Sequence, residues 1–598
     1  MHPRSSLPKV PFLRALLVLA LSLGLASPAF AEQASDLVSP ERSTVSVPVD
    51  AVQARQPVHA AHWMVAVANP IAAEAGAEVL RKGGNAADAT VAIQTVLGLV
   101  EPQSSGLGGG GFLLYWDAAR RRLTTFDARE TAPAAATPQL FLDEHGAPLQ
   151  FYDAVVGGRS VGAPGTPRLL ELLHNRYGRL AWPDLFGKAI DLAEKGFVVS
   201  PRLAGEIKGD EQRLARFDGT RNYFLKKDGT GIDAGTTLTN PAYAATLKKI
   251  RDGGAEAFYK GAIADDIART VQHAPGNPGV LSVQDLATYQ VKEREPVCEP
   301  YRGYRVCGMG PPSSGGIAIG QILGLLSHFD LAKLGPDDPQ SWQLMGDATR
   351  LAYADRERFV ADSDFLPVPT QGLLDPVYLA KRAALLKAGT RLDKAEAGSP
   401  EWDHAMNTGD GNALELPSTS HFVVVDQWGN IVSMTTTIEN EFGSRLMVDG
   451  FLLNNELTDF SFKTRDGDRP VANRVEPGKR PRSTMAPTVV LKDGKPVLAL
   501  GSPGGAMIVP FVAEALVANL DWGMDLQKAV SLPHAMNRSG AFELEAGTQA
   551  AKLGDALKRL GYDVKVEDMN SGLHAIAIGP DGLTGAADPR REGVAIGE

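Results

Sequence analysis

The stretch Pro417-Ser418-Thr419-Ser420-His421-Phe422-Val423-Val424-Val425-Asp426-Gln427-Trp428-Gly429-Asn430, continued by Ile431-Val432-Ser433-Met434-Thr435-Thr436-Thr437-Ile438, reads as a β-hairpin. Two β-branched, apolar runs flank a Gln-Trp-Gly-Asn turn, and such runs suit strands buried in a sheet. A turn near Trp428 sets positions 419 and 437 close to opposite one another. One hydroxyl residue therefore stands just before the first buried strand and another ends the second. Taken alone, facing threonines are ordinary sheet formers, because branched side chains pack well on a pleated surface.

Working outward, Leu392 to Leu416 is mostly polar, contains Gly398-Ser399-Pro400 and Gly409-Asp410-Gly411, and lacks a period, which predicts an exposed loop. Beyond the hairpin, Phe451–Asn454, Thr488–Leu491 and Val497–Gly501 read as strands, and Val509–Leu520 as a helix. Far upstream, Ile71–Gly83 has apolar residues at helical spacing and closes on Gly83-Gly84; Asn85–Leu99 starts a second helix, apolar on nearly every face and so buried. Gly106–Gly111 and the strand-like Phe112-Leu113-Leu114-Tyr115-Trp116 follow, then amphipathic helical stretches such as Leu169–Tyr177 and Asp184–Gly196. This pattern predicts helices packed on antiparallel sheets.

The chain has 598 residues, 44% of them hydrophobic, and 60 basic against 70 acidic residues give a charge of -10. That composition describes a globular protein, and the acidic balance without a basic block argues against nucleic acid and against a polybasic membrane patch. A small molecule is the expected partner. Arg4, Lys9 and Arg14 precede an apolar run from Ala15 to Ala26, and Ser27-Pro28-Ala29-Phe30-Ala31 ends in a small-x-small pattern, so residues 1–31 read as a secretory signal peptide. About a dozen apolar residues fall short of the roughly 20 that span a bilayer, so no stable membrane anchor is expected. The exported chain would be periplasmic or secreted. Its oxidising surroundings bear on Cys298 and Cys307, which bracket a short turn-containing stretch: they are either a disulfide across a hairpin or two buried thiols.

Two motifs carry little. Gly106, Gly108 and Gly111 satisfy G-x-G-x-x-G, but a helix precedes them and a strand follows, the reverse of a dinucleotide site. Close backbone packing explains them better. His59 and His62 lack a third partner, and neither they nor the two cysteines suggest a metal site. No metal and no cofactor are expected.

A series of motifs, in order, is far more specific: Gly84-Asn85-Ala86-Ala87-Asp88-Ala89, Gly108-Gly109-Gly110-Gly111-Phe112, Asp127-Ala128-Arg129-Glu130-Thr131-Ala132-Pro133, Pro311-Pro312-Ser313-Ser314-Gly315-Gly316, Ser418-Thr419-Ser420-His421, Asn454-Asn455-Glu456-Leu457-Thr458-Asp459-Phe460, Arg480-Pro481-Arg482-Ser483-Thr484-Met485 and Gly501-Ser502-Pro503-Gly504-Gly505. Across nearly the whole exported chain the sequence resembles the gamma-glutamyltranspeptidases, which are N-terminal-nucleophile hydrolases. The resemblance implies an α+β fold, a four-layer αββα sandwich. It also implies a precursor that cuts its own Ser418-Thr419 bond, leaving a heterodimer of residues 32–418, the large subunit, and 419–598, the small one.

The chemistry accounts for such a cut. A threonine hydroxyl inside a chain is a poor nucleophile, whereas a new N-terminal threonine carries an α-amine of pKa about 7.7–8.0 that serves as its base. By resemblance Thr437 orients the Thr419 hydroxyl, and Gly504-Gly505 offers backbone N–H groups to the oxyanion, where one lost donor typically costs about 2.7–4 kcal/mol. Arg129 matches the arginine that grips the donor's α-carboxylate, Ser483 and Thr484 the paired hydroxyls that assist it, and Glu456 and Asp459 the acids that hold the α-ammonium. Without the resemblance, Arg129 would read as a surface ion pair with Glu130 or Asp127.

Two departures stand out. Glu439 replaces the asparagine of better-known members, adding a third acid that raises the local negative potential and a neighbouring pKa. Lys463–Arg482 is short and contains no aromatic residue, which predicts a donor site without an aromatic-tipped lid, open to larger γ-glutamyl amides. The implied activity is transfer of a γ-glutamyl group from donors such as glutathione to water, an amino acid or a dipeptide, through an ester on Thr419. The rivals are a cephalosporin or glutaryl acylase of the same fold, whose substrate lacks the α-ammonium, and a non-catalytic periplasmic protein that binds γ-glutamyl peptides.

Overall fold

The hairpin forms as Ser420–Val425 against Ile431–Thr437. In its turn, Asp426 accepts from the N–H groups of Trp428 and Asn430, and Gly429 takes the positive φ (81°) that closes it. This computed structural model describes residues 55–402 and 407–598. The signal peptide expected at residues 1–31 lies outside the described residues.

The hairpin is the middle of a seven-stranded antiparallel sheet. Its order is Val594–Gly597, Met64–Val67, Ser420–Val425, Ile431–Thr437, Gly110–Asp117, Arg122–Ala128, Lys292–Arg294. Because side chains alternate across a strand, each strand feeds two cores. Val65, Val67, Leu113, Tyr115, Phe422 and Val424 face one cluster, and Met64, Ala66, Phe112, Leu114, Val423 and Val425 face the other. That two-sided burial is why these strands are apolar throughout.

The helices Pro70–Arg81 and Ala86–Val100 cover the first face. Asn69 caps the former through the Ile71 N–H, with Pro70 at its first position. Asn85 and Asp88 form a capping box on the latter. Against the second face lies another seven-stranded antiparallel sheet, in the order Val58–Ala60, Gly582–Ala587, His574–Gly579, Lys495–Gly501, Thr488–Lys492, Tyr304–Gly308, Val297–Tyr301. The helices Gly315–Leu326, Pro339–Phe359 and Ile508–Leu520 pack on that sheet from outside. The result is four layers, αββα. Both sheets interleave strands from before and after residue 418.

Cys298 and Cys307 face each other in the hairpin of Val297–Tyr301 with Tyr304–Gly308, their Cα atoms 4.0 Å apart, and are joined by a disulfide. The Gly106–Gly111 run holds no phosphate cradle. A Cβ on Gly108 would sit 2.0 Å from the Leu452 carbonyl oxygen, and one on Gly109 2.0 Å from that of Thr437, so close strand packing requires glycine there. The segment from Lys463 to Arg482 holds only a two-residue hairpin, Arg465–Asp466 with Arg469–Pro470.

The loop expected from Leu392 to Leu416 has no helix or strand in its described part, but its exposure needs correcting. Thr408, Gly409 and Glu415 are buried, because the end of this segment passes into the interior just before Thr419.

Candidate active site

The register Ser420↔Thr436 carries the pairing one step further, so that Thr419 faces Thr437 at the mouth of the central hairpin. Their hydroxyl oxygens lie 3.1 Å apart. The Glu439 N–H donates to Thr437 Oγ1 at 2.8 Å, which leaves the Thr437 hydrogen free to point at Thr419. We predict that Thr437→Val, which keeps the shape and removes this orienting hydroxyl, lowers kcat roughly ten- to hundredfold. Steady-state rates on a chromogenic γ-glutamyl anilide check this, and an unchanged kcat would rule out the orienting role.

Thr419 itself has φ of 86°, a region that a β-branched residue enters at a cost of about 1–3 kcal/mol. The surroundings hold it there. Arg591 donates to the Thr419 carbonyl oxygen at 3.0 Å, Ser418 Oγ to the Gln103 carbonyl at 3.1 Å, and the Gly504 N–H to the Ser418 carbonyl oxygen at 3.2 Å. The last contact places a backbone donor on the carbonyl that Thr419 would attack. Gly504 and Gly505 both have positive φ (137° and 55°), and a Cβ on Gly505 would stand 2.3 Å from the Leu416 carbonyl oxygen. Glycine is required at this crossing.

Thr419 and Thr437 open onto a pocket that Arg129, Glu439, Glu456 and Asp459 also line. Arg129 is fully buried and its fork is ion-paired with Glu456 and Asp459, while the carbonyls of Pro481 (3.2 Å) and Arg482 (2.9 Å) accept two more of its five N–H groups. It is not the surface pair considered above. Asp127 instead accepts the Arg129 main-chain N–H and the Arg294 side chain. Glu130, burial of which pushes its carboxyl up to about 8, turns toward Gly110 and Gly162.

A short 3-10 turn, Glu456–Asp459, presents both acids, and the Asn454 side chain fixes its first N–H. Glu456 Oε2 and Asp459 Oδ1 are buried without a hydrogen-bond partner. A buried carboxylate oxygen left this way costs free energy until a donor arrives, and an ammonium group supplies one. Glu439 takes the Asn455 amide. Burial, and then the charge of Asp459, raise its pKa well above the carboxylate range; burial also raises Asp459, opposed by Arg129. One arginine among four acids, Glu415, Glu439, Glu456 and Asp459, gives a pocket suited to a ligand that brings positive charge of its own.

Ser483 and Thr484 line the same pocket but do not touch the Arg129 fork. Ser483 Oγ accepts the Met485 N–H at 3.1 Å, and Thr484 Oγ1 lies 2.6 Å from Glu415 Oε2 and 2.7 Å from the Gly505 carbonyl. Main-chain carbonyls of the same segment hold Arg129 in their stead. His59, by contrast, meets Thr584 through Nδ1 at 3.1 Å, away from this site.

The profile of the gamma-glutamyltranspeptidase family matches residues 72–598. The chain belongs to the gamma-glutamyltranspeptidase family. It is 40% identical over 546 residues to a glutathione hydrolase proenzyme of Bacillus subtilis (strain 168), covering 89% of this chain and 91% of that relative. It is 37% identical over 549 residues to a glutathione hydrolase proenzyme of Escherichia coli (strain K12), with the same coverage of 89% and 91%. Among solved structures, the cephalosporin acylase from Bacillus halodurans superposes with a TM-score of 0.80 at 27% identity, covering 91% of this chain and 97% of that one. The αββα layering of this family member is thus that of the N-terminal-nucleophile hydrolases.

Glu415 and Arg356 were not legible as site residues. Their side chains form a buried ion pair beside Thr484. Glu415 is a lone acid in a polar, aperiodic stretch, and nothing in its spacing announces a partner 59 positions away.

Proposed function

We propose that the chain is a self-processing γ-glutamyltransferase and glutathione hydrolase. The observation that carries this reading is the Thr419 hydroxyl 3.1 Å from Thr437, next to a Ser418 carbonyl held by the Gly504 N–H and facing a pocket of one arginine and four acids.

In the precursor, Thr419 Oγ adds to the Ser418 carbonyl carbon, the Ser418–Thr419 C–N bond breaks, and the Thr419 nitrogen, which already carries one hydrogen, takes up the proton lost by the hydroxyl and leaves as a free amine. An ester joins the two halves until water opens it, leaving a Ser418 carboxylate and the Thr419 hydroxyl. Breaking the peptide bond also abolishes the strained φ of Thr419, since that torsion needs the preceding carbonyl. In turnover the same oxygen attacks the donor's γ-carbonyl, with the new α-amine as base and the Gly504-Gly505 backbone at the oxyanion. Arg129 takes the donor's α-carboxylate, exchanging part of its pairing with Glu456 and Asp459, whose unpartnered oxygens take the α-ammonium. Water, an amino acid or a dipeptide then accepts the γ-glutamyl group.

The likeness to a cephalosporin acylase favours a second reading, hydrolysis of glutaryl amides. Such substrates bring no ammonium to Glu456, Asp459 and Glu439, so they should be poor ones. No helix among the described residues is long and apolar enough to cross a membrane, and with the export leader we place the enzyme in the periplasm or outside the cell.

The test is N-terminal sequencing of the smaller fragment from mature protein, followed by rates on glutathione, on γ-glutamyl and glutaryl anilides, and on bulkier γ-glutamyl amides. Thr419 should come first, and γ-glutamyl donors, bulky ones included, should exceed the glutaryl anilide at least about a hundredfold in kcat/KM. A single uncut chain or preferred glutaryl hydrolysis overturns the reading. Exclusion of bulky donors removes the open lid.

A further inference from the structure

The segment that would be cut is held by a side-chain clamp at the border of the pocket, formed by Glu415, Arg356 and Thr484. Between Gly411 and Thr419 the one ionisable side chain is Glu415. It is buried, and both carboxylate oxygens are engaged: Oε1 pairs with Arg356 and Oε2 lies 2.6 Å from the Thr484 hydroxyl. Arg356 is itself fixed on the helix Pro339–Phe359, where Nε donates to Ser314 Oγ at 2.9 Å and a second nitrogen pairs with Glu357. Main-chain contacts continue the grip. The Ala506 N–H donates to the Glu415 carbonyl at 3.2 Å, and Leu416 crosses Gly505 closely. Three residues after Glu415, the Gly504 N–H meets the Ser418 carbonyl.

We propose that Glu415 is a positioning residue for self-cleavage. Anchored between Arg356 and Thr484, it fixes residues 415–418 across Gly504-Gly505, so that the Ser418 carbonyl stays against its backbone donor and within reach of Thr419. The bond broken is the Ser418–Thr419 amide and the acceptor is Thr419 Oγ, as above. Glu415 lies on the same side of that bond as the carbonyl under attack, so its grip bears directly on the cutting step. The inference rests on the self-cleavage reading.

A displacement of the carbonyl by about 1 Å is enough to cost a proximity reaction about a hundredfold. The experiment follows conversion of freshly synthesised full-length chain to two fragments in a purified, protease-free system, for the parent, E415Q and E415A. The expected result is slowing of about 10- to 100-fold for E415A and an intermediate rate for E415Q, which keeps a partner for Thr484 but weakens the pair with Arg356. Glu415 also borders the donor pocket, so kcat/KM on a γ-glutamyl anilide, measured per cut molecule, should fall several-fold less than the cutting rate does. Cutting of both variants at the parent's rate overturns the proposal. So does a parallel loss of kcat/KM in the cut fraction, since a merely structural ion pair would damage both steps. A parent chain that stays whole in the purified system sinks the self-cleavage reading itself, before Glu415 is at issue.

Discussion

Thr419→Ala is expected to give one uncut chain and to lower hydrolysis of γ-glutamyl amides by at least about 10⁴-fold, in line with the losses seen when other covalent enzymes lose their nucleophile. Two causes act together. The missing oxygen can attack neither the Ser418 carbonyl nor a substrate, and without the cut no α-amine appears to serve as base. Thr419→Ser keeps oxygen and amine but loses the methyl that restricts χ1, so it should cut and turn over more slowly. Denaturing electrophoresis and anilide rates read both variants. A Thr419→Ala preparation that still separates into fragments beginning at residue 419 would remove the nucleophile from this residue.

Arg129→Ala should produce the next largest effect, on both binding and stability. Deleting one member of a buried ion pair costs about 3–5 kcal/mol, because the partner charge is left uncompensated. Here two acids, Glu456 and Asp459, lose their counterion, and Glu439 lies beside them. Lost contact with the donor's carboxylate should lower kcat/KM by about 10²–10³-fold, and Arg129→Lys, with its charge but no planar fork, should recover only part. The stability loss has a sign with pH. Asp459 and Glu439 already have raised pKa values, and removing Arg129 raises Asp459 further. A folded state that holds protons the unfolded state has released becomes less stable as pH rises from the ordinary carboxylate range through the raised pKa. The drop in melting temperature of Arg129→Ala should therefore be larger at pH 8 than at pH 5. Equal drops at both would mean that the acids are not left charged and buried.

Which parts of this arrangement could be read from the chain depended on how local their signals are. The hairpin was legible because two apolar runs flank a turn, and from its register alone Thr419 and Thr437 fall opposite each other, as they do at 3.1 Å. The helices at Pro70–Arg81 and Ala86–Val100 were legible from capping residues and spacing. Arg129 meets Glu456 and Asp459 across 327 and 330 positions, a distance no period spans, so only the resemblance placed them in one pocket. The hydroxyls of Ser483 and Thr484 line this pocket but bond to Met485, Glu415 and Gly505, directions that an irregular segment does not write into its sequence. Burial of Glu415 went unread for a related reason: a polar stretch without a period is expected in solvent until a specific cation, here Arg356, draws it inward.

The alternation of strands in the two sheets has a consequence for quality control. Ser420–Val425 and Ile431–Thr437 sit between Met64–Val67 and Gly110–Asp117, while Val58–Ala60 borders Gly582–Ala587 in the other sheet. Neither proposed fragment owns a complete sheet, so neither can be withdrawn without laying open both hydrophobic interiors. Scission thus has to come after the layers close, and the two new ends mark a molecule already assembled. A misfolded copy lacks the geometry to acquire them, and it stays whole and inert.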